Sequence, residues 1–187
     1  MRERLFDLII ILFAIIVFFV PFILIYFAVK VTSPGPAIYW SRRIGEQGSF
    51  FMMPKFRSMR VDTPELATDK LVDPKLYLTG IGSFLRRTSL DELPQIFSVL
   101  RGDMSIVGPR PALYTQHDLI AKRQRLGINR LRPGITGWAQ INGRDDIALR
   151  KKIELDYYYF QKQSVRFDLK ILILTVKAVL KSKGVKH

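Results

Sequence analysis

Residues 5–29, LFDLIIILFAIIVFFVPFILIYFAV, are an apolar run whose only acidic member is Asp7. A helix that is apolar on every face needs an apolar solvent, so this run belongs in a bilayer. As one straight helix it would extend about 38 Å, enough to cross a hydrocarbon core of about 30 Å. Two features favour a different path. Pro21 lacks a backbone donor and crowds the preceding turn, which bends or breaks a helix. The arms it separates would reach only about 24 Å and about 12 Å, lengths that suit a helix that enters, kinks and returns to the same side. The flanks are also basic on both sides, with Arg2 and Arg4 before the run and Lys30, Arg42 and Arg43 after it. Positive flanks stay in the cytoplasm, so both ends are expected there. On these features alone, crossing and return both stand open. A cleavable leader would have a shorter apolar core and a small-residue cleavage site, whereas Lys30-Val31-Thr32-Ser33-Pro34 follows here; the anchor, residues 1–31, is expected to stay attached.

The other 156 positions of the 187-residue chain, 32–187, suit one domain. The absence of cysteine excludes disulfides, thiolate metal sites and thiol nucleophiles. Thirty Lys and Arg against sixteen Asp and Glu leave a net charge of +14, spread along the chain rather than gathered in a tail. Anionic partners follow, and three compete: nucleic acid, the headgroups of an acidic leaflet, and a phosphorylated small substrate. With only His117 and His187, no histidine metal cluster or Ser-His-Asp triad can be assembled, and no Gly-rich phosphate loop is present.

Beyond the anchor, 32–36 is a turn cluster, and short apolar runs at 37–40 and 50–53 flank the turn residues 45–48, which predicts a hairpin. Residues 63–74 read as a loop or short helix. Residues 89–102 carry both ends of a helix: Ser89 with Glu92 fits a capping box, Pro94 is tolerable in the first turn, and Gly102 fits the position past the last. Residues 108–111 cannot be helical, 116–126 and 147–161 are predicted helices, and 132–144 reads as a long loop. Residues 167–181 are apolar with interspersed lysines and suit an interfacial helix or a core helix equally. The fold class is therefore α/β and mainly helical, a small membrane-associated domain.

The Asp91-Glu92 pair is the leading chemical candidate. Carboxylates in a first helical turn lie where free N–H groups and the dipole favour negative charge, so Asp91 is expected to stay ionised. Beside a divalent cation such as Mg²⁺, an ionised aspartate can attack phosphorus while its neighbour helps hold the metal. Plain helix capping by acidic residues is the alternative. Lys55, Arg57, Arg86, Arg87, Arg110, Arg132 and Arg144 lie in or beside turns and are phosphate-binding candidates, each weighed against a solvated or headgroup-facing role. Pro109 and Pro111 make a rigid frame that could present Arg110 and an apolar wall to a ligand. Lys122-Arg123-Gln124-Arg125 reads as leaflet-facing or solvated, and Trp138 could stack on a base. These residues leave open a phosphoryl-transfer enzyme, an Mg²⁺-dependent lipid-diphosphate phosphohydrolase, and a tethered protein that binds nucleic acid or acidic lipid.

Taken together, Lys55-Phe56-Arg57-Ser58-Met59, Ser89-Leu90-Asp91-Glu92-Leu93-Pro94-Gln95, Gly102-Asp103-Met104-Ser105, Gly108-Pro109-Arg110-Pro111, and Arg132-Pro133-Gly134-Ile135-Thr136-Gly137 with Asn142-Gly143-Arg144 resemble, in order, the motifs of the bacterial sugar transferases, the monotopic phosphoglycosyl transferases. The resemblance implies a re-entrant anchor kinked at Pro21 and a catalytic domain on the cytoplasmic face of the inner membrane. It implies an exchange in which Asp91 takes a phosphosugar from a UDP-sugar, releasing UMP, and passes it to polyprenol phosphate (undecaprenyl phosphate), with Glu92 and Mg²⁺ at the metal site. By the same resemblance Lys55, Arg86, Arg110 and Arg144 would bind phosphate or nucleotide, and Arg57, Arg132, Pro109 and Pro111 stay as candidates for that role. Nucleic acid is then not a partner. An N-acetylated amino sugar is the expected cargo, with 63–73 and 145–150 the expected selectivity segments. One departure stands out: members of the family often carry Ser-Pro at the kink, whereas this chain has Val20-Pro21.

Overall fold

The computed structural model describes residues 2–64, 73–143 and 147–180. Helix α1 (Arg2–Thr32) runs helically on both sides of Pro21, and among the described residues it is the one helix long and apolar enough to cross a membrane. One side of its middle is bare: Leu12, Phe13, Ile16, Phe19 and Val20 are all exposed. Its two ends are not. Near the start, Asp7 is buried and accepts hydrogen bonds from Ser105 Oγ and the Ile106 N–H, both at 3.0 Å. The Arg4 guanidinium donates to the carbonyls of Val99 and Leu100, where a helix end leaves acceptors open. Near the other end, Ile25 and Val29 pack with Ala37, Phe56 and Leu85, and the Phe22 ring lies 4.8 Å from Phe56 and 5.9 Å from Phe97. Residues before and after Pro21 thus rest on the same domain.

The predicted hairpin is present and longer than its apolar runs suggested: β1 (Ile38–Ile44) pairs antiparallel with β2 (Phe50–Phe56), from Ile38 opposite Phe56 to Ile44 opposite Phe50. Because side chains alternate between faces, Tyr39, Ser41 and Arg43 share one side of β1.

The stretch 89–102 is not one capped helix. Helix α2 (Gly82–Thr88) closes at Ser89, whose backbone is left-handed (φ 59°) and whose N–H returns to the carbonyls of Arg86 and Leu85, while its side chain caps nothing. A 3₁₀ turn, Leu90–Gln95, follows, and α-helical winding starts only at α3 (Ile96–Arg101). The left-handed Ser89 closes α2, so the chain enters the next turn without a side-chain cap, and Pro94 supplies no N–H to that turn. Asp91 and Glu92 do occupy a first turn, as expected, and Gly102 (φ 94°) ends α3.

Residues 132–143 are more ordered than the predicted loop. Strand β3 (Ser105–Val107) pairs in parallel with β4 (Gly134–Thr136), and a short helix, α5 (Trp138–Ile141), comes next. The glycines that signalled a loop serve close approach instead: a Cβ on Gly134 would lie 2.1 Å from the Gly108 nitrogen. Helices α4 (His117–Arg125), α6 (Leu149–Lys162) and α7 (Val165–Leu180) complete the domain. The main core gathers Met53, Val99, Met104, Ile106, Val107, Tyr159 and Ile171, with Ile11 of α1 inserted among them. In helix α7 Ile171 is fully buried, as a core helix requires, while Leu169, Ile173 and Val176 remain exposed.

Candidate functional site

A cavity of about 1000 Å³ opens between the hairpin, the 3₁₀ turn and the apolar helices. One part is ionic, lined by Arg43, Lys55, Arg86, Asp91, Glu92 and Arg110. Another part is apolar, lined by Ile11 and Phe18 of α1 and by Leu172 and Val179 of α7. Charge and hydrocarbon surface therefore share a single opening.

Glu92 is the hub of the ionic part. Its Oε1 accepts from Lys55 Nζ at 2.9 Å and from Arg110 Nη2 at 2.7 Å, and its Oε2 accepts from Arg110 Nη1 at 3.4 Å. Burial works against its charge, but Arg110 and then Lys55 outweigh it and hold the carboxyl below its ordinary pKa. Asp91, beside it, is 8% exposed. Desolvation dominates there, opposed by Lys55 and reinforced by the Glu92 charge, and its pKa is pushed up to about 6. Burial thus works against the helix dipole: Asp91 protonates more readily than a free aspartate. Burial also lowers the Lys55 pKa, against the pull of Glu92. Two adjacent carboxyls thus have their pKa values driven in opposite directions, an arrangement typical of sites that divide chemical roles.

The other expected site residues fall into distinct places. Arg86 lines the cavity, with Nη1 3.3 Å from Met59 Sδ. Arg57 also borders it, but the guanidinium is buried and donates to the Pro34 carbonyl at 3.0 Å, tying down the turn that leaves the anchor. Gly35 (φ 99°) gives it room, since a Cβ there would meet Arg57 Nη1. Pro109 and Pro111 form no wall of the cavity; they frame Arg110, and their carbonyls accept from the Gly134 N–H (3.0 Å) and Arg43 Nη1 (3.2 Å). Arg132 is not brought to the cavity at all and pairs with Glu46 at 3.2 Å. Arg144 lies outside the described residues, as do 65–72 and 145–146 of the expected selectivity segments; Thr63 and Pro64 do line the cavity. Trp138 is no free stacking platform, because it packs against Phe167 (5.0 Å) and Tyr158 (5.9 Å) with Lys170 Nζ 5.7 Å from its ring.

Arg43 and Arg123 went unrecognised in the sequence. Arg43 was legible in principle, as the third of three alternating polar or aromatic positions on β1. Arg123, grouped there with solvated cations, is buried: its Nε and Nη2 donate to Asp156 Oδ2 at 3.0 and 2.6 Å. Nothing local marks that partner, which lies on another helix.

Among the described residues no three His, Cys, Asp or Glu side chains gather as a metal site. Both Glu92 oxygens already accept from cations. Mg²⁺ commonly needs only one or two carboxylates when phosphate oxygens and water fill the rest of its shell. Asp91 and Glu92 form no metal cage of their own, and could hold Mg²⁺ only with phosphate oxygens and water completing its shell.

Comparison with known proteins identifies the family. The family model for bacterial sugar transferases matches residues 1–182. The chain is 40% identical to the "Uncharacterized sugar transferase EpsL" of Bacillus subtilis, over 99% of this chain and 90% of that protein. It is 46% identical to the "UDP-glucose:undecaprenyl-phosphate glucose-1-phosphate transferase" of Escherichia coli, over 80% of this chain but 34% of that protein. It is 41% identical to the "Galactosyl transferase CpsE" of Streptococcus agalactiae, over 81% of this chain and 36% of that one. The chain thus spans about a third of the length of the latter two relatives. With a family model covering nearly the whole chain and a relative matched end to end, this chain belongs to the bacterial sugar transferase family.

Proposed function

We propose that this protein moves a phosphosugar from a UDP-sugar to polyprenol phosphate through a covalent intermediate on Asp91. A carboxylate oxygen of Asp91 attacks the phosphorus that bears the sugar; that O–P bond forms as the bond to the UMP oxygen breaks, and UMP leaves. An oxygen of polyprenol phosphate then attacks the same phosphorus, and Asp91 departs as the free carboxylate. The observation that carries this reading is the buried Asp91 in a cationic cavity, beside a Glu92 whose charge is held by Lys55 and Arg110. With a pKa of about 6, Asp91 would be about nine-tenths ionised at pH 7. Lys55, Arg86 and Arg110 would grip the diphosphate and stabilise the charge that develops on transfer. Mg²⁺, held by the Asp91-Glu92 pair, would neutralise phosphate oxygens.

The apolar part of the cavity supports a lipid acceptor, and α1 supports a membrane position on the cytoplasmic face of the inner membrane. A helix whose two ends both rest on one domain cannot cross a bilayer perpendicularly with that domain on one side, so we read α1 as re-entrant. For the sugar, an N-acetylated amino sugar is our preference, and the names of the relatives point to UDP-glucose and a galactosyl donor as the competitors.

Detergent-solubilised protein with Mg²⁺ should release UMP from at least one UDP-sugar of such a panel. Release should need no lipid acceptor, and both Asp91→Asn and chelation by EDTA should stop it. Undiminished UMP release by Asp91→Asn would refute the mechanism.

A further inference from the structure

We propose that Arg123, held by Asp156, is a positioning residue that sets where Arg110 places its guanidinium against Glu92. The turn that carries Arg110 is flanked by two prolines, and a proline has no N–H to anchor its own backbone. Three carbonyls of the turn take up that task. Pro109 accepts from the Gly134 N–H at 3.0 Å, Arg110 from Arg123 Nη1 at 2.8 Å, and Pro111 from Arg43 Nη1 at 3.2 Å. The middle bond holds the residue that reaches the hub, since Arg110 Nη2 lies 2.7 Å from Glu92 Oε1. Arg123 is itself immobilised: Nε and Nη2 both donate to Asp156 Oδ2, which fixes the guanidinium plane and with it the position of Nη1.

Burial makes this a costly way to join two helices. The side chains of Arg123 and Asp156 are 9% and 2% exposed, and an apolar pair of similar volume usually holds such an interface as well as a buried ion pair or better. What an apolar pair cannot do is donate to the Arg110 carbonyl. The ion pair is thus explained by its third hydrogen bond, which links α6 through α4 to the cationic cluster.

This inference rests on the proposed role of Arg110 and Glu92 beside Asp91, and the test separates the two. The double variant Arg123→Met with Asp156→Leu keeps α4 on α6 without a stranded charge. Its melting temperature should stay near that of the wild type, while kcat/KM for UMP release falls about tenfold to a hundredfold, as small misplacements of catalytic groups do. In an Arg110→Ala background the same double change should cost almost nothing further, because the group it positions is gone. An equal loss in both backgrounds would overturn the proposal. A second readout needs no activity: the guanidinium ¹⁵N–¹H signals of Arg110, assigned as those missing from Arg110→Lys, should broaden or shift in the double variant. Unchanged signals would overturn the positioning role even if no UDP-sugar is turned over, whereas absence of turnover by the wild-type protein overturns only the reading of function.

Discussion

Replacing Asp91 by Asn should make the protein more stable at neutral pH while abolishing its chemistry. The folded pKa of Asp91, about 6, lies above its ordinary 3.8. The native state therefore holds the proton more tightly than the unfolded chain does. Stability from this group is full below about pH 3.8 and is lost as pH rises through about 6. Two pKa units at about 1.36 kcal/mol each set an upper bound of about 3 kcal/mol for the cost of the buried charge at pH 7.5. Water entering the open cavity relaxes part of that desolvation, which puts the expected gain for Asp91→Asn at about 1–3 kcal/mol. For a chain of this size that is a rise in melting temperature of about 2–12 °C. The assay is intrinsic-fluorescence melting of wild type and variant in one detergent from pH 4 to 8. The difference should be largest above pH 7, shrink below pH 6 and nearly vanish at pH 4. A variant no more stable than wild type at pH 7.5, or equally favoured at pH 4, would refute the assignment of a costly buried charge to Asp91. The same titration should govern chemistry: UMP release by the wild type should rise as pH increases through about 6 and then level off.

Glu92→Gln strands Lys55 and Arg110 without their shared anion and should destabilise the fold by about 2–4 kcal/mol, measured as a lowered melting temperature; adding Lys55→Met should return part of that loss. The chain has no cysteine, so one placed before Arg2 reports topology cleanly: an impermeant maleimide added from outside the inner membrane should leave it unmodified if α1 returns, and modification would contradict re-entry.

Much of this molecule was legible locally. The hairpin at 38–56 announced itself by turn residues between apolar runs, Gly102 by its place after an apolar helix, and the Asp91-Glu92 pair by its position in a first turn. What failed was what depended on packing. Ser89 proved to end α2 in a left-handed conformation rather than to cap the next turn, Gly134 proved to be a close-approach point against Gly108, and Arg132 was drawn to Glu46. Arg57, which still borders the cavity, proved also to clasp the Pro34 turn, and Arg123 turned from surface charge to buried partner of Asp156.

The sequence alone determined that residues 5–29 need an apolar solvent, that a helix there carries Pro21, and that two carboxylates lie among many cations, because hydropathy, proline geometry and charge are properties of the residues themselves. Only the tertiary structure decided which cations reach Glu92, why Asp91 holds its proton to about pH 6, and that both ends of α1 come to rest on one domain. Those outcomes depend on desolvation and on distances between segments far apart in the chain. A side chain's local sequence carries no record of either.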